Sequence, residues 1–201
     1  MRSKRRIIIK WLFDRTFSLV GLIVCCPVIL IISLAIKIKM GDGPIFFKQK
    51  RIGQFGKPFT LVKFRTMTPD CTGPSVTVFN DARITNFGSF LRRYKIDEIP
   101  ELWNVLKGEM SFVGPRPDVE GYADKLEGEN KKILMLKPGI TGPATLKYCR
   151  EEELLAQQND PLKYNDEVIW PDKVKINMLY LDNISLRGDI KIIFQTLGLI
   201  R

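Results

Sequence analysis

From Thr16 to Ile36 the chain reads TFSLVGLIVCCPVILIISLAI, 21 residues without a charge. At about 1.5 Å per residue, a helix of that length reaches across a hydrocarbon core of roughly 30 Å. The run is too long for a cleaved signal peptide, and no small-x-small cleavage site follows it. Further on the period changes to two. Ile45, Phe47 and Phe59, Leu61 alternate with their neighbours, and Gly53, Gly56 and Pro58 punctuate the stretch between. The alternation predicts two short strands within residues 44–66, joined by a loop of more than two residues. The turn-rich stretch from Pro69 to Asn80 predicts a mobile loop.

Helical spacing then takes over. Phe87, Phe90, Leu91 and Tyr94 share one face of a helix expected over 86–94. The next helix is expected to start at Asp97 as N-cap, with Pro100 in its first turn and Gly108 as its stop. Leu102, Trp103 and Leu106 form its apolar stripe. Residues 119–136 and 151–158 read as charged amphipathic helices, the second opening on a solvated Glu151-Glu152-Glu153. Two more helices are expected over 172–180 and 186–199. The last is broad and apolar, suited to a membrane surface or to packing under the site. These elements describe a helix-dominated α+β chain: a membrane segment over 1–40, then a domain over 41–201 with a small β-hairpin and amphipathic interfacial helices.

Charge sharpens the reading of the apolar run. The chain has 201 residues, 32 Lys+Arg and 22 Asp+Glu, for a net charge of +10. Residues 1–68 hold 14 basic and 2 acidic residues, a net of +12; the remainder holds 18 and 20, a net of −2. Arg2, Lys4, Arg5, Arg6, Lys10 and Arg15 precede the apolar run, and Lys37 and Lys39 follow it. Because basic flanks favour the cytoplasmic side, both ends are drawn to the same face. A re-entrant hairpin broken at Pro27 satisfies that demand, since proline removes a helical hydrogen bond and crowds the preceding turn. A single kinked span is the alternative. The freed carbonyl would need a donor, for which Ser18, Cys25 and Cys26 are at hand. The basic residues crowd the apolar run without a nucleic-acid recognition motif, which argues against a nucleic-acid partner.

The chain contains no histidine. That excludes Ser-His-Asp and Cys-His relays and the usual histidine-containing zinc sites. Cys25, Cys26, Cys71 and Cys149 show no CxxC spacing and read as reduced thiols. Catalysis would therefore fall to carboxylates, Lys, Arg, Tyr or Cys. Asp97 and Glu98 stand where a helix N-terminus lowers a carboxylate pKa and attracts phosphate, although an Asp N-cap alone is more often structural. In Gly114-Pro115-Arg116-Pro117 two prolines present one guanidinium from a stiff turn, suited to bidentate phosphate recognition or to pairing with a nearby acid. Neither the Gly-rich phosphate loop nor the dinucleotide fingerprint occurs. Lys137-Pro138-Gly139-Ile140-Thr141-Gly142-Pro143 is a second stiff turn.

Several segments together resemble one family. They are the apolar run broken at a proline, Phe47-x-Gln49-x-Arg51-x-Gly53, and Lys63-Phe64-Arg65-Thr66-Met67. There follow Asp97-Glu98-Ile99-Pro100-Glu101-Leu102-Trp103-Asn104-Val105-Leu106-Lys107-Gly108, Gly114-Pro115-Arg116-Pro117 and Pro138-Gly139-Ile140-Thr141-Gly142. In this order they are similar to the bacterial sugar transferases called small monotopic phosphoglycosyl transferases. The resemblance implies transfer of a phosphosugar from a UDP-sugar to polyprenol (undecaprenyl) phosphate with release of UMP, on the cytoplasmic face of the bacterial inner membrane. It implies a Mg²⁺ ion held at Asp97 and a covalent Asp97-phosphosugar intermediate, with Glu98 as base or metal organiser. Lys63, Arg92 and Arg116, with Pro115 and Pro117, would bind phosphate. Larger relatives carry extra transmembrane helices, for which this chain is expected to be too short. The family often has Ser-Pro where this chain has Cys26-Pro27. It commonly has Arg, Leu and Gln where this chain has Lys137, Pro143 and Thr145. Sugar discrimination is expected from the loop 69–80 and the segment after Arg116. The rival reading is a non-catalytic, membrane-anchored adaptor that binds anionic lipid through its basic half.

Overall fold

The computed structural model describes residues 2–68 and 81–200, with side chains from Ile7 onward. The loop expected over 69–80 lies outside the described residues. Helix α1 (Arg2–Lys39) runs for 38 residues, with Pro27 inside it. It is long and apolar enough to cross a membrane, and only 6% of its apolar window is buried. The helix continues through Pro27, so the expected break does not interrupt it. Ser18 does not supply the freed carbonyl with a donor: its hydroxyl donates to the Arg15 carbonyl at 3.0 Å.

What α1 touches is more informative than its length. Near its start, Lys10 Nζ lies 2.6 Å from Asp189 Oδ2, and the Phe112 amide donates to Asp14 Oδ1 at 3.3 Å. Arg15 Nη2 donates to the Lys107 carbonyl at 3.0 Å. Near its end, fully buried Ile36 packs with Phe64 and Leu91, helped by Ile29, Ile32 and Met40. Both ends of the apolar run therefore rest on the same globular unit.

Strands β1 (Phe46–Ile52) and β2 (Pro58–Phe64) form the expected antiparallel hairpin, Phe46 opposite Phe64 and Ile52 opposite Pro58. Alternation sends Phe59 and Leu61 into a core with Val105 and Met110, and Phe64 to the opposite face, against α1. Lys63 has the parity of Phe59 and Leu61, so it points toward the same neighbour. Buried Arg65 donates to the carbonyls of Met40, Gly41 and Asp42, which ties the exit of α1 to the end of β2.

Helix α2 (Asn86–Arg93) is capped by Thr85, whose side chain accepts from the Gly88 amide. Helix α3 (Glu101–Lys107) begins later than expected: Asp97 is not its N-cap but the middle of a 3₁₀ turn, Ile96–Glu98. Lys95, with φ +56°, reverses the chain ahead of that turn. With no N–H at Pro100, short i→i−3 bonds such as Trp103 N to Pro100 O at 3.0 Å fill the junction.

Strands β3 (Ser111–Val113) and β4 (Gly139–Thr141) form a parallel pair, so the two stiff turns are neighbours held by a small sheet. A Cβ on Gly114 would lie 2.2 Å from the Lys137 carbonyl oxygen, which explains the glycine at that crossing. Residues 119–136 are not an amphipathic helix. They form 3₁₀ turns over Ala123–Lys125 and Gly128–Met135, because Gly121 (φ +105°) and Gly128 (φ +55°) divide the stretch. Beyond β4 come α4 (Pro143–Lys147), α5 (Glu151–Ala156), α6 (Pro161–Tyr164), α7 (Trp170–Asp182) and α8 (Leu186–Thr196). Helix α8 is two-faced: Ile192 and Ile193 pack inward near Tyr180, while Phe194 and Leu197 are exposed.

Candidate active site

The hairpin, the turn before α3 and the turn after β3 converge on four side chains. Glu98 and Glu101, three residues apart, share one face. Lys63, arriving from β2, sits between them with its Nζ 2.9 Å from Glu98 Oε1 and 3.0 Å from Glu101 Oε1. Arg116 reaches the same Glu98 oxygen from the other side, Nη2 at 3.3 Å. The loop that carries Arg116 is pinned on both flanks. Pro115 O accepts from the Gly139 amide at 2.7 Å, and Pro117 O accepts from Arg51 Nη1 at 3.2 Å. The guanidinium is thus held at its base while 43% of the side chain stays open to solvent.

Asp97 stands next to this cluster and is only 7% exposed. Its Oδ1 is buried and accepts no hydrogen bond. Burial pushes the Asp97 carboxyl up, with Lys63 opposing and Glu98 adding to the rise. The lowering expected from a helix N-terminus is overridden, because Asp97 is desolvated in a 3₁₀ turn and no amide reaches its free oxygen. For Glu98, burial pushes the same way, but Arg116, Lys63 and Lys95 together hold its carboxyl down to about 2. Glu101 is pushed up to about 7, by burial first and then by Glu98, against the pull of Lys63. The Arg116 guanidinium is held above its ordinary value, by Glu98 first. Burial likewise pushes Asp118, two residues on, up to about 7.

Arg92 comes from the end of α2. Its Nη2 donates to Glu152 Oε1 at 2.8 Å, and its buried Nη1 has no partner. Glu151 pairs with Lys173 at 2.7 Å. The acidic start of α5 is therefore not merely solvated: it braces a cation on each side. Lys63, Asp97, Glu98 and Arg116 come together, flanked by Pro115 and Pro117, with Arg92 behind. Cys26 is exposed and Pro27 lies beside it on α1. Glu101 escaped the sequence reading, although its i, i+3 spacing from Glu98 was the available signal.

Among the described residues, no three Asp, Glu, Cys or His side chains gather as a metal cage. Magnesium is commonly held by one or two carboxylates plus substrate phosphate oxygens. A buried Asp97 oxygen without a donor fits that mode. Arg116, half open to solvent, and Arg92, with one nitrogen unpartnered, stand beside an orphaned carboxylate, which suits the approach of a diphosphate and an attack on it.

The profile of a family described as "Bacterial sugar transferase" matches residues 5–200. The chain is 38% identical over 190 residues to "Uncharacterized sugar transferase EpsL" of Bacillus subtilis (strain 168), covering 94% of this chain and 85% of that protein. It is 35% identical over 199 residues to "Exopolysaccharide production protein PSS" of Rhizobium leguminosarum bv. phaseoli, covering 94% of each. It is also 37% identical over 189 residues to "UDP-glucose:undecaprenyl-phosphate glucose-1-phosphate transferase" of Escherichia coli (strain K12). There the match takes 91% of this chain but 38% of the longer relative.

Proposed function

Because the chain belongs to the bacterial sugar transferase family, we propose that it moves a phosphosugar from a UDP-sugar to polyprenol (undecaprenyl) phosphate, releasing UMP. The observation that carries this reading is the orphaned Asp97 oxygen, buried beside Lys63, Glu98 and Arg116. An adaptor that binds anionic lipid has no use for such an oxygen.

In the proposed first step, an Asp97 carboxylate oxygen attacks the β-phosphorus of the donor. The new P–O bond forms as the bond to the α-phosphate bridging oxygen breaks, and UMP leaves with the electron pair. In the second step, an oxygen of polyprenol phosphate attacks the same phosphorus and Asp97 is restored as a carboxylate. Arg116 and Arg92 Nη1 bind donor phosphate oxygens, and Lys63 exchanges part of its pairing with Glu98 for them. Glu98, ionised under all ordinary conditions, holds Arg116 and Lys63 in place until then. Mg²⁺ bound at Asp97 and the donor diphosphate would neutralise charge on the phosphate oxygens.

We place the enzyme on the cytoplasmic face of the bacterial inner membrane as a monotopic protein, with α1 re-entrant. Both ends of α1 rest on the same globular unit, Lys10 with Asp189 and Ile36 with Phe64 and Leu91, a placement that a bend at Pro27 would combine with a shallow membrane entry. Basic residues at both ends of the apolar run agree.

The test is to incubate the protein with radiolabelled UDP-sugars in the absence of lipid acceptor. The native protein is expected to take up label and release UMP with Mg²⁺ present; the sugar that labels it names the donor. Asp97→Asn is expected to abolish both labelling and transfer while unfolding at an unchanged temperature in detergent. Near-native transfer by that variant would sink the nucleophile assignment.

A further inference from the structure

Helix α2 carries an aromatic ladder. The rings of Phe87 and Phe90 stack with centroids 6.2 Å apart, and those of Phe90 and Tyr94 follow at 5.1 Å. Phe90 and Tyr94 are 49% and 60% exposed, more than a soluble surface ordinarily leaves in one contiguous row. At the Phe87 end the ladder meets the exit of α1, where Lys39 Nζ lies 5.0 Å over the Phe87 ring. Lys39, Thr85, Asn86, Phe87 and Phe90 line an open groove of about 640 Å³ there. At the other end stand cations: Arg93 lies 5.8 Å over the Tyr94 ring, and Lys95 and Arg92 bear electrostatically on Asp97.

We propose that this ladder and groove seat the isoprenoid chain of the acceptor lipid, and that the cations at its end turn the lipid phosphate toward Asp97. The inference rests on the reaction proposed above and locates its acceptor. Charge complementarity argues for a single amphiphile lying along the helix rather than bulk lipid. A lengthwise apolar track begins where α1 leaves the hydrocarbon and ends in guanidinium and ammonium groups, three residues before Asp97. An amphiphile with a long apolar tail and one anionic head has that layout. Bulk lipid would need the exposed rings and the single Lys39 at headgroup level, but not Arg92, Arg93 and Lys95 gathered at the Asp97 end, nor a groove between α1 and α2.

The experiment compares acceptors of different length in detergent micelles: undecaprenyl phosphate against a short, water-soluble isoprenyl phosphate. In the native protein, transfer with mutual dependence on donor and acceptor establishes the reaction itself. Failure there sinks the functional reading, and with it the acceptor seat. Given that activity, the Phe90→Ala variant is expected to lower the ratio of kcat/KM for the long acceptor to that for the short one about tenfold, the loss of one aromatic contact with the tail. Most of the change should lie in KM. Phe90→Leu, which keeps an apolar contact, should restore most of the ratio. Tyr94→Ser, at a more exposed position, gives a second reading if Phe90→Ala folds poorly. A ratio that stays at the native value in both Phe90→Ala and Tyr94→Ser would overturn the inference, as would an equal loss with both acceptors.

Discussion

Lys63 stands between two carboxylates whose ionisation moves in opposite directions. Glu98 is held down to about 2 against its burial by Arg116, Lys63 and Lys95. Glu101, 3% exposed and without a second cation in contact, is pushed up to about 7. The consequences for stability have opposite signs. Glu101 binds its proton more tightly folded than unfolded, so between its ordinary value near 4.5 and about 7 it subtracts stability as pH rises. Glu98 does the reverse: its contribution is present above 4.5 and is lost as pH falls toward 2. Glu101→Gln is therefore expected to flatten the decline of thermal unfolding temperature between about pH 5 and pH 7. Asp118, raised to about 7 by burial, leaves a residual decline of the same sign. Melting curves across that range check this; a slope identical to the native one would show that Glu101 is not the buried acid of the pair.

Among the elements, the junction of β2 and α3 decides whether the site exists. Asn104, almost wholly buried, acts as an extra strand edge. Its Oδ1 accepts from the Val62 amide at 3.1 Å, and its Nδ2 donates to Thr60 O at 2.7 Å and Glu109 Oε2 at 2.8 Å. These bonds set the distance between Lys63 on one element and Glu98 ahead of the other. Asn104→Ala strands an amide and a carbonyl, and should cost about 2 kcal/mol of stability. It should also raise KM for the donor as Lys63 drifts; unfolding curves and donor titrations measure the two effects. This junction also marks what the sequence made legible. The hairpin could be read because Phe59 and Leu61 alternate in step with one buried face, and the helix at 86–94 because Phe87, Phe90, Leu91 and Tyr94 keep one helical face. Strands β3 and β4 could not be read: three residues each, bounded by Gly and Pro, leave no period to detect. The 119–136 stretch misled because its charges mimic a helix, whereas Gly121 and Gly128, both at positive φ, forbid a continuous one. Asp97 and Arg116 stood out as residue types in punctuated or stiff contexts, whereas Lys63 and Arg92 came only with the family resemblance. Nothing local could show that Glu152 would brace Arg92, sixty positions away.

For the whole molecule, the arrangement of α1 decides topology. Lys10 and Ile36 flank the apolar run and both rest on the globular unit. A straight helix between them would measure about 39 Å. With native cysteines replaced by serine, Lys4→Cys and Leu199→Cys are expected to react with a membrane-impermeant thiol reagent from the same side of sealed vesicles. Reaction from opposite sides would reject the re-entrant arrangement. The burial of Ile36 has a further consequence. Because it sits at the centre of a cluster with Phe64 and Leu91, α1 is a wall of the core and not a detachable tether. The ribosome delivers this wall first, and the strands and helices that need it come later. Until Ile36 docks, Phe64 and Leu91 stay uncovered, so a chain whose α1 is held away from the domain is expected to be degraded by proteases.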